Sequence, residues 1–297
     1  MAGGCNAAIA ATERGIRGRR RWVTTHIVGD GEPERAGRLP SLVTRLARAA
    51  GRIGEAALEL VLPRVCVACD LLQPPESGAL VCDTCWTRLG QLPHPRCERC
   101  GHPEGAGSCR WCPLLPPFVR AVRSVCWVPG GVAERLVHAL KYEGWRALGD
   151  EMGARVARLP WPDDVRCERT ALVPVPLARA RARERGYNQS SLLAAPLSRA
   201  YGIPIWEDVV ERARTTETQT RLTPEQRLHN VAGAFQCVTG TRSRLRGSHV
   251  ILVDDVVTTA ATLNECAAAL WSGGARVVSY ATFGRARSPG DAPLTRG

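Results

Sequence analysis

HVILVDDVVTTAATL, residues 249 to 263, is the stretch on which the reading of this chain turns. Four consecutive apolar residues, Val250 to Val253, predict a strand buried on both faces, as in a parallel sheet covered by helices on either side. Asp254 and Asp255 follow at its carboxyl end, where open α/β sheets bind their ligands. Val256 to Thr262 then lead into a helix predicted from Leu263 to Trp271 and closed by Gly273-Gly274. Thr258, Thr259, Ala260, Ala261 and Thr262 at a helix mouth offer free N–H groups, hydroxyl donors and the positive end of the helix dipole, the parts of a phosphate cradle. Carboxylates repel phosphate, so the acid pair must face something else: ribose hydroxyls, a hard cation such as Mg²⁺, or both. A plain βαβ crossover with a polar turn is the competing reading. An acid pair trailed by three threonines within five positions is unusual for such a turn.

These residues resemble the fingerprint of the type I phosphoribosyltransferases, in which a buried strand, an acidic pair and a T-T-G-x-T loop hold a 5-phosphate. The chain departs from that pattern at Ala260, where the family has Gly. If the position takes positive φ or lets a phosphate come close, Ala costs about 1 kcal/mol or more there, which weakens binding.

At 297 residues the chain has room for one large α/β domain and a smaller companion. It contains no run of eighteen apolar residues, so it is not expected to span a membrane. The N-terminus has a basic cluster but no apolar core of a signal peptide, which argues for the cytoplasm. Thirteen cysteines in such a chain mean metal or buried thiols rather than a disulfide framework. The formal charge of +12 suggests nucleic acid, a membrane surface or a phosphorylated substrate, although zinc-bound thiolates would take four charges from it. Of 40 basic residues only Lys141 is Lys. The arginine bias reflects base composition, and Lys141 stands against it.

Residues 1–40 lack apolar periodicity and read as a disordered tail. Over residues 41–63, Leu42, Leu46, Ala49, Ile53, Ala57 and Leu60 share a helical face, predicting an amphipathic helix that packs on its own protein or touches a membrane surface or partner. Residues 64–117 carry four C-x-x-C pairs: Cys66/Cys69, Cys82/Cys85, Cys97/Cys100 and Cys109/Cys112. A tetrahedral Zn²⁺ takes two such turns, so the four predict two closed, structural Cys₄ sites in a double zinc ribbon. Sequential pairing is favoured and a crossed one stays open. His94 and His102 are spare ligands.

Residues 118–285 form the α/β domain. A strand is predicted over Ser124–Val128, helices over Gly131–Tyr142 and Trp145–Leu159, a buried strand over Thr170–Leu177 and a last strand over Arg276–Phe283. Lys141 ends its helix, placed either to reach a phosphate or to serve as a solvated charge on the dipole. Past Leu177 come Arg179, Arg181, Arg183 and Arg185, planar multi-donor cations suited to a diphosphate, with a solvated arginine run as the alternative. Asn188 is placed to cap the following helix, which Pro196 should kink. The polar segment Arg212–Phe235 reads as a lid whose contacts are Arg214, Gln219, Arg227 and Asn230, or as a plain loop. Cys126, Cys167, Cys237 and Cys266 read as buried small apolar residues, and residues 286–297 as a tail.

Taken in order, the ribbon, LKYEG at 140–144, PVPL and RGYNQ, the lid pattern ending in NVAGAF, and DDVVTT resemble the ComF family of phosphoribosyltransferase-fold proteins, over about Leu58 to Gly284. The resemblance implies a type I phosphoribosyltransferase-like parallel sheet flanked by helices, binding of phosphoribosyl diphosphate with Mg²⁺, and phosphoribosyl transfer. It also implies a role in DNA uptake during natural competence at the inner face of the membrane, with single-stranded DNA and a competence helicase as partners. Asp254 and Asp255 would grip the ribose hydroxyls beside the developing oxocarbenium charge, and Thr258, Thr259, Ala261 and Thr262 would hold the 5-phosphate. Arg181, Arg183 and Arg185 would neutralise the departing diphosphate, and the lid would exclude water. Two alternatives remain. One is a binding protein that has lost catalysis, favoured by Ala260. The other is a nucleic-acid adaptor in which Trp86 and Trp111, near Arg88, Arg96, Arg99 and Arg110, grip a single strand.

Overall fold

A computed structural model describes residues 63–74, 76–103, 109, 111–213, 233–287 and 291. The amphipathic segment, the N-terminal tail and the four lid contacts Arg214, Gln219, Arg227 and Asn230 lie outside them, as does Arg110.

The two halves of the ribbon are built alike. In each, the first C-x-x-C turn closes a small hairpin, bridged at Val65–Leu72 and at Arg96–Pro103. The residue after the second cysteine, Asp70 or Gly101, turns left-handed (φ 58° and 67°) and donates its N–H to Cys66 O or Cys97 O at 2.8 Å. Asp tolerates that conformation because its side chain is short and polar. At the other copy only Gly fits, since a Cβ on Gly101 would lie 2.2 Å from Val122 O. Helix α1, Asp83–Thr87, is capped by Cys82, whose sulfur accepts from Cys85 N.

In chain order there follow β1 (Val119–Val128), α2 (Gly131–Tyr142), α3 (Leu148–Ala157), α4 (Asp163–Glu168), β2 (Arg169–Pro174), α5 (Arg179–Arg185), α6 (Gln189–Tyr201), β3 (Val210–Arg212), β4 (Phe235–Cys237), α7 (Arg242–Leu245), β5 (His249–Val257), α8 (Ala261–Ser272) and β6 (Val277–Ala286). A four-stranded, wholly parallel sheet runs β1-β6-β5-β2, and β3 pairs with β4 antiparallel beside it. The chain is therefore α/β, with helices on both faces of a parallel sheet and the ribbon before it.

Strand alternation divides the core into two layers. Ile251, Val253, Ala281 and Phe283 face α2, α3 and α6, through Leu136, Leu140, Met152 and Leu193. Val250, Leu252, Val278 and Tyr280 face α8 and the β3–β4 pair, through Leu263, Leu270 and Phe235. The ribbon straddles edge strand β1: Cys66 and Cys85 pack into the first layer and Cys100 into the second. Its backbone also occupies that edge, Val122 N donating to Arg99 O and Trp127 N to Gly90 O, both at 2.8 Å, with Gln91 bridged to Cys126. An edge that would template association is thus closed. Arg99 pins the junction by donating to the carbonyls of Cys112, Leu115, Pro116 and Val119.

Several sequence expectations shift. β1 begins at Val119 rather than Ser124, and α4, α5 and α7 are short helices that periodicity does not announce. α6 runs through Pro196 without a break. Cys126 and Cys266 are buried thiols, but Cys237 is half-buried and Cys167 is exposed. Asp291, in the predicted tail, meets His102 Nε2 at 2.8 Å, so His102 is a hydrogen-bond partner of Asp291 and stands outside both cysteine tetrads. No helix among the described residues is long and apolar enough to cross a membrane.

Candidate functional site

β5 keeps its ladder to Val257, so Asp254 and Asp255 are its sixth and seventh residues, at the carboxyl end of the strand. Asp255, in register with Ile251 and Val253, enters the α2–α6 layer and meets Lys141 Nζ at the last turn of α2. Its Oδ1 accepts Gln189 Nε2 at 3.5 Å, and Gln189 Oε1 in turn accepts Arg185 at 2.6 Å. Asp254 accepts Ser190 Oγ at 3.0 Å and the N–H of Asp255 at 2.9 Å. Both carboxylates therefore rest against the first residues of α6, whose N-terminal dipole favours negative charge. Asn188 fixes that helix mouth, accepting from Ser190 N and donating to Val175 O, each at 3.1 Å.

The two acids are electrically unequal. Burial and then the charge of Asp255 push the Asp254 carboxyl up to about 8, against the pull of Lys141. Burial acts the same way on Asp255, but Lys141 and hydrogen bonds from Asp254 and Gln189 outweigh it and hold Asp255 below the usual carboxylate range. Lys141 is raised: burial opposes its charge and the two aspartates overcome that. Of the two, Asp255 is thus the one that holds its charge most firmly, beside the Lys141 ammonium.

Beyond the acids, Thr258 is exposed, Thr259 and Thr262 are half-buried, and Ala260 and Ala261 are buried. Ala260 caps α8 at φ 61°, ψ 5°, the left-handed conformation for which Gly is the cheap residue. Thr259 Oγ1 is buried without a hydrogen-bond partner, an orphaned donor at a helix mouth.

The arginines separate. Because Arg179–Arg185 is a helix, alternate residues do not share a face: Arg181 and Arg185, four apart, are half-buried, while Arg183 is exposed. Arg185 also lies 5.5 Å from the Tyr142 ring centroid, and Tyr187 Oη donates to Leu140 O, binding the α5–α6 turn to the end of α2 beside Lys141. Three residues that the sequence did not single out join the site. Ser190 and Gln189 support the acids, and Arg212 feels both Arg181 and Asp254, its pKa lowered first by burial. Ser190 and Gln189 read in sequence only as a polar helix start, while Arg212 stands first in the predicted lid segment, where no local pattern sets it apart from Arg214.

The two cysteine groups, Cys66/Cys69/Cys82/Cys85 and Cys97/Cys100/Cys109/Cys112, each bring four sulfurs within 4.8 Å of one another, in the sequential pairing. Separations of 3.9 Å (Cys69–Cys82), 3.4 Å (Cys97–Cys112) and 3.3 Å (Cys100–Cys109) suit a tetrahedral ion with Zn–S near about 2.3 Å. N–H groups of Cys82 and Cys85 point at Cys66 and Cys82 sulfurs at 3.4 Å, as thiolate ligands require. With every ligand a cysteine and no open position, the sites fit structural Zn²⁺. The ribbon's aromatic faces are covered: Arg155 lies 3.4 Å over the Trp86 ring and His102 4.8 Å from Trp111.

Comparison with known proteins agrees. A double zinc ribbon domain matches residues 57–114 and a phosphoribosyl transferase domain matches residues 188–294. The chain is accordingly a zinc-ribbon protein with a phosphoribosyltransferase fold. It is 32% identical over 232 residues to the DNA utilization protein YhgH of Escherichia coli K12, covering 74% of this chain and 96% of that one. It is 27% identical over 249 residues to the competence protein ComFC of Bacillus subtilis, covering 75% and 95%. By these relatives and this domain pair, the chain belongs to the ComF family. Among solved structures it is similar to the Bacillus subtilis glutamine phosphoribosylpyrophosphate amidotransferase, at 18% identity and a TM-score of 0.31 over 46% of this chain and 26% of that one.

Proposed function

We propose that the chain binds phosphoribosyl diphosphate with Mg²⁺ and transfers its phosphoribosyl group to an acceptor. The observation that carries this reading is the pairing of the acid tip of β5 with the α8 mouth, where a left-handed Ala260 and the orphaned Thr259 hydroxyl await a partner. The 5-phosphate would lie against Thr258, Thr259, Ala261 and Thr262, and the ribose hydroxyls on Asp254 and Asp255. As the C1–O bond to diphosphate breaks, positive charge grows on the ribose, and the adjacent carboxylate stabilises it. Arg181 and Arg185 flank the acids where the diphosphate would leave, with Arg183 free to swing in from solvent. Among the described residues the groups of three or more metal-ligating side chains are the two cysteine tetrads, so Mg²⁺ would arrive with the diphosphate rather than sit in a protein cage. The names of the relatives, a DNA utilization protein and a competence protein, support a place in DNA handling during competence; as part of the same proposal we place the chain in the cytoplasm at the membrane's inner face, with single-stranded DNA and a helicase as partners.

Calorimetry with phosphoribosyl diphosphate and Mg²⁺ tests the reading. Asp255→Asn should abolish binding while its far-ultraviolet dichroism stays native, and an unchanged affinity would count against the assignment. A second reading, a binder without catalysis, is favoured by Ala260 in the position where the family pattern has Gly. Diphosphate release with a panel of bases separates the two.

A further inference from the structure

Lys141 is the only lysine in a chain that otherwise uses arginine for every long basic side chain. Its ammonium does not point at the Thr258–Thr262 loop. It sits on Asp255 Oδ2, with the Lys141 side chain 23% and the Asp255 side chain 5% exposed. Two of the other three carboxylate oxygens are engaged by protein groups. Asp255 Oδ1 accepts Gln189, and Asp254 Oδ1 accepts both Ser190 and the Asp255 N–H. A ribose diol that takes up Asp255 Oδ2 in place of the ammonium therefore displaces Lys141. That displacement strands an ammonium in a partly desolvated site, which is costly unless the incoming ligand offers it a new anion. The end of α2 is tied by Tyr187 to the turn after α5, so the freed ammonium emerges beside Arg185, on the side where a diphosphate would lie. A compact ammonium on a flexible stem can make that exchange, whereas a guanidinium forks onto both oxygens of its carboxylate and holds them.

We propose, resting on the reading above, that Lys141 is the resident counter-ion of Asp255 and transfers to the ligand's diphosphate on binding, so that it is the residue by which this site distinguishes phosphoribosyl diphosphate from ribose 5-phosphate. Lys141 is thus a specificity-determining residue that releases Asp255 only to a ligand able to take its charge.

The experiment is calorimetry of wild type, Lys141→Met and Lys141→Arg with phosphoribosyl diphosphate and with ribose 5-phosphate, each with Mg²⁺, alongside thermal melting. In Lys141→Met, affinity for the diphosphate should fall by about 10- to 100-fold, the range of a lost charge-assisted hydrogen bond, while that for ribose 5-phosphate stays level or rises. Lys141→Arg keeps the buried charge and so the fold. It should narrow the preference by a smaller factor. If Lys141→Met melts before it can be titrated, Lys141→Arg decides alone. An unchanged ratio of the two affinities in the folded variants, or equal losses on both ligands, overturns the proposal while leaving the binding function intact. Wild type that binds neither ligand overturns both.

Discussion

At Ala260 the backbone asks for a residue the chain does not have. With φ at 61° the Cβ crowds the following carbonyl, at a cost of about 1 kcal/mol, and the loop keeps that conformation because α8 starts there, Asn264 N donating to Ala260 O at 2.7 Å. Ala260→Gly should raise stability by up to about 0.5 kcal/mol in urea unfolding, the relief of strain being partly offset by the more flexible unfolded chain. His249 tells a different story at the other end of β5. It is 1% exposed, bonded to Ser279 Oγ at 2.9 Å, and burial depresses its pKa to about 4 despite Glu168 nearby. In the unfolded chain a histidine titrates near 6.5 or so, so on acidification the unfolded state takes up a proton that the folded state refuses. Stability from this group is complete above that pH and drains away as pH falls from there toward 4, by about 3 kcal/mol in all. Urea midpoints of wild type and His249→Gln measured from pH 7 downward should converge as the pH drops, and parallel curves would remove His249 as the cause.

Elements differ in how far the sequence announces them. Gly131–Tyr142 is read to the residue because Leu136, Val137, Ala139 and Leu140 make an apolar face. α5 buries nothing, so its arginines look like a run to be counted in twos when the helix counts them in fours. β5 is predicted from its apolar core, but the strand carries on through the acids, since a buried carboxylate with an ammonium partner is tolerated where a bare one is not. That partner lies 114 residues away, and no local pattern points to it. Strand parity does show which layer must supply it. The contact between α3 and α6 is equally silent in the sequence: Gly149 and Gly153 let the helices approach until a Cβ on Gly153 would stand 2.5 Å from Leu193 O and 2.8 Å from Pro196 Cγ. Neither neighbour is the loose end of a side chain. Gly153→Ala should therefore destabilise the protein by about 1–3 kcal/mol, although alanine is the better helix former, and a gain in melting temperature would show that the helices yield.

On the scale of the whole molecule, the ribbon and the sheet stand or fall together. The second tetrad is joined to the sheet at three places: Arg99 grips four carbonyls around the ribbon exit, Gly101 lies against Val122, and Arg285 of β6, 5% exposed, donates to Cys100 O at 2.5 Å. Arg285 is paired in the ladder with Val257, the residue that leads into the threonine loop. Four zinc-bound thiolates carry a net charge of about −2, and buried Arg285 beside them supplies an offset that a metal-free, protonated tetrad would not need. Loss of that ion should therefore loosen the end of β6 and, through it, the phosphate loop, as well as the ribbon. Cys100→Ser is expected to halve the zinc content measured by atomic emission. It should also speed amide exchange across Val119–Val128 and at the Val256–Gly284 and Val257–Arg285 pairs, with the Thr258–Thr262 loop following. Exchange confined to the ribbon, with β6 and the loop as protected as in wild type, would show the two parts to be mechanically separate.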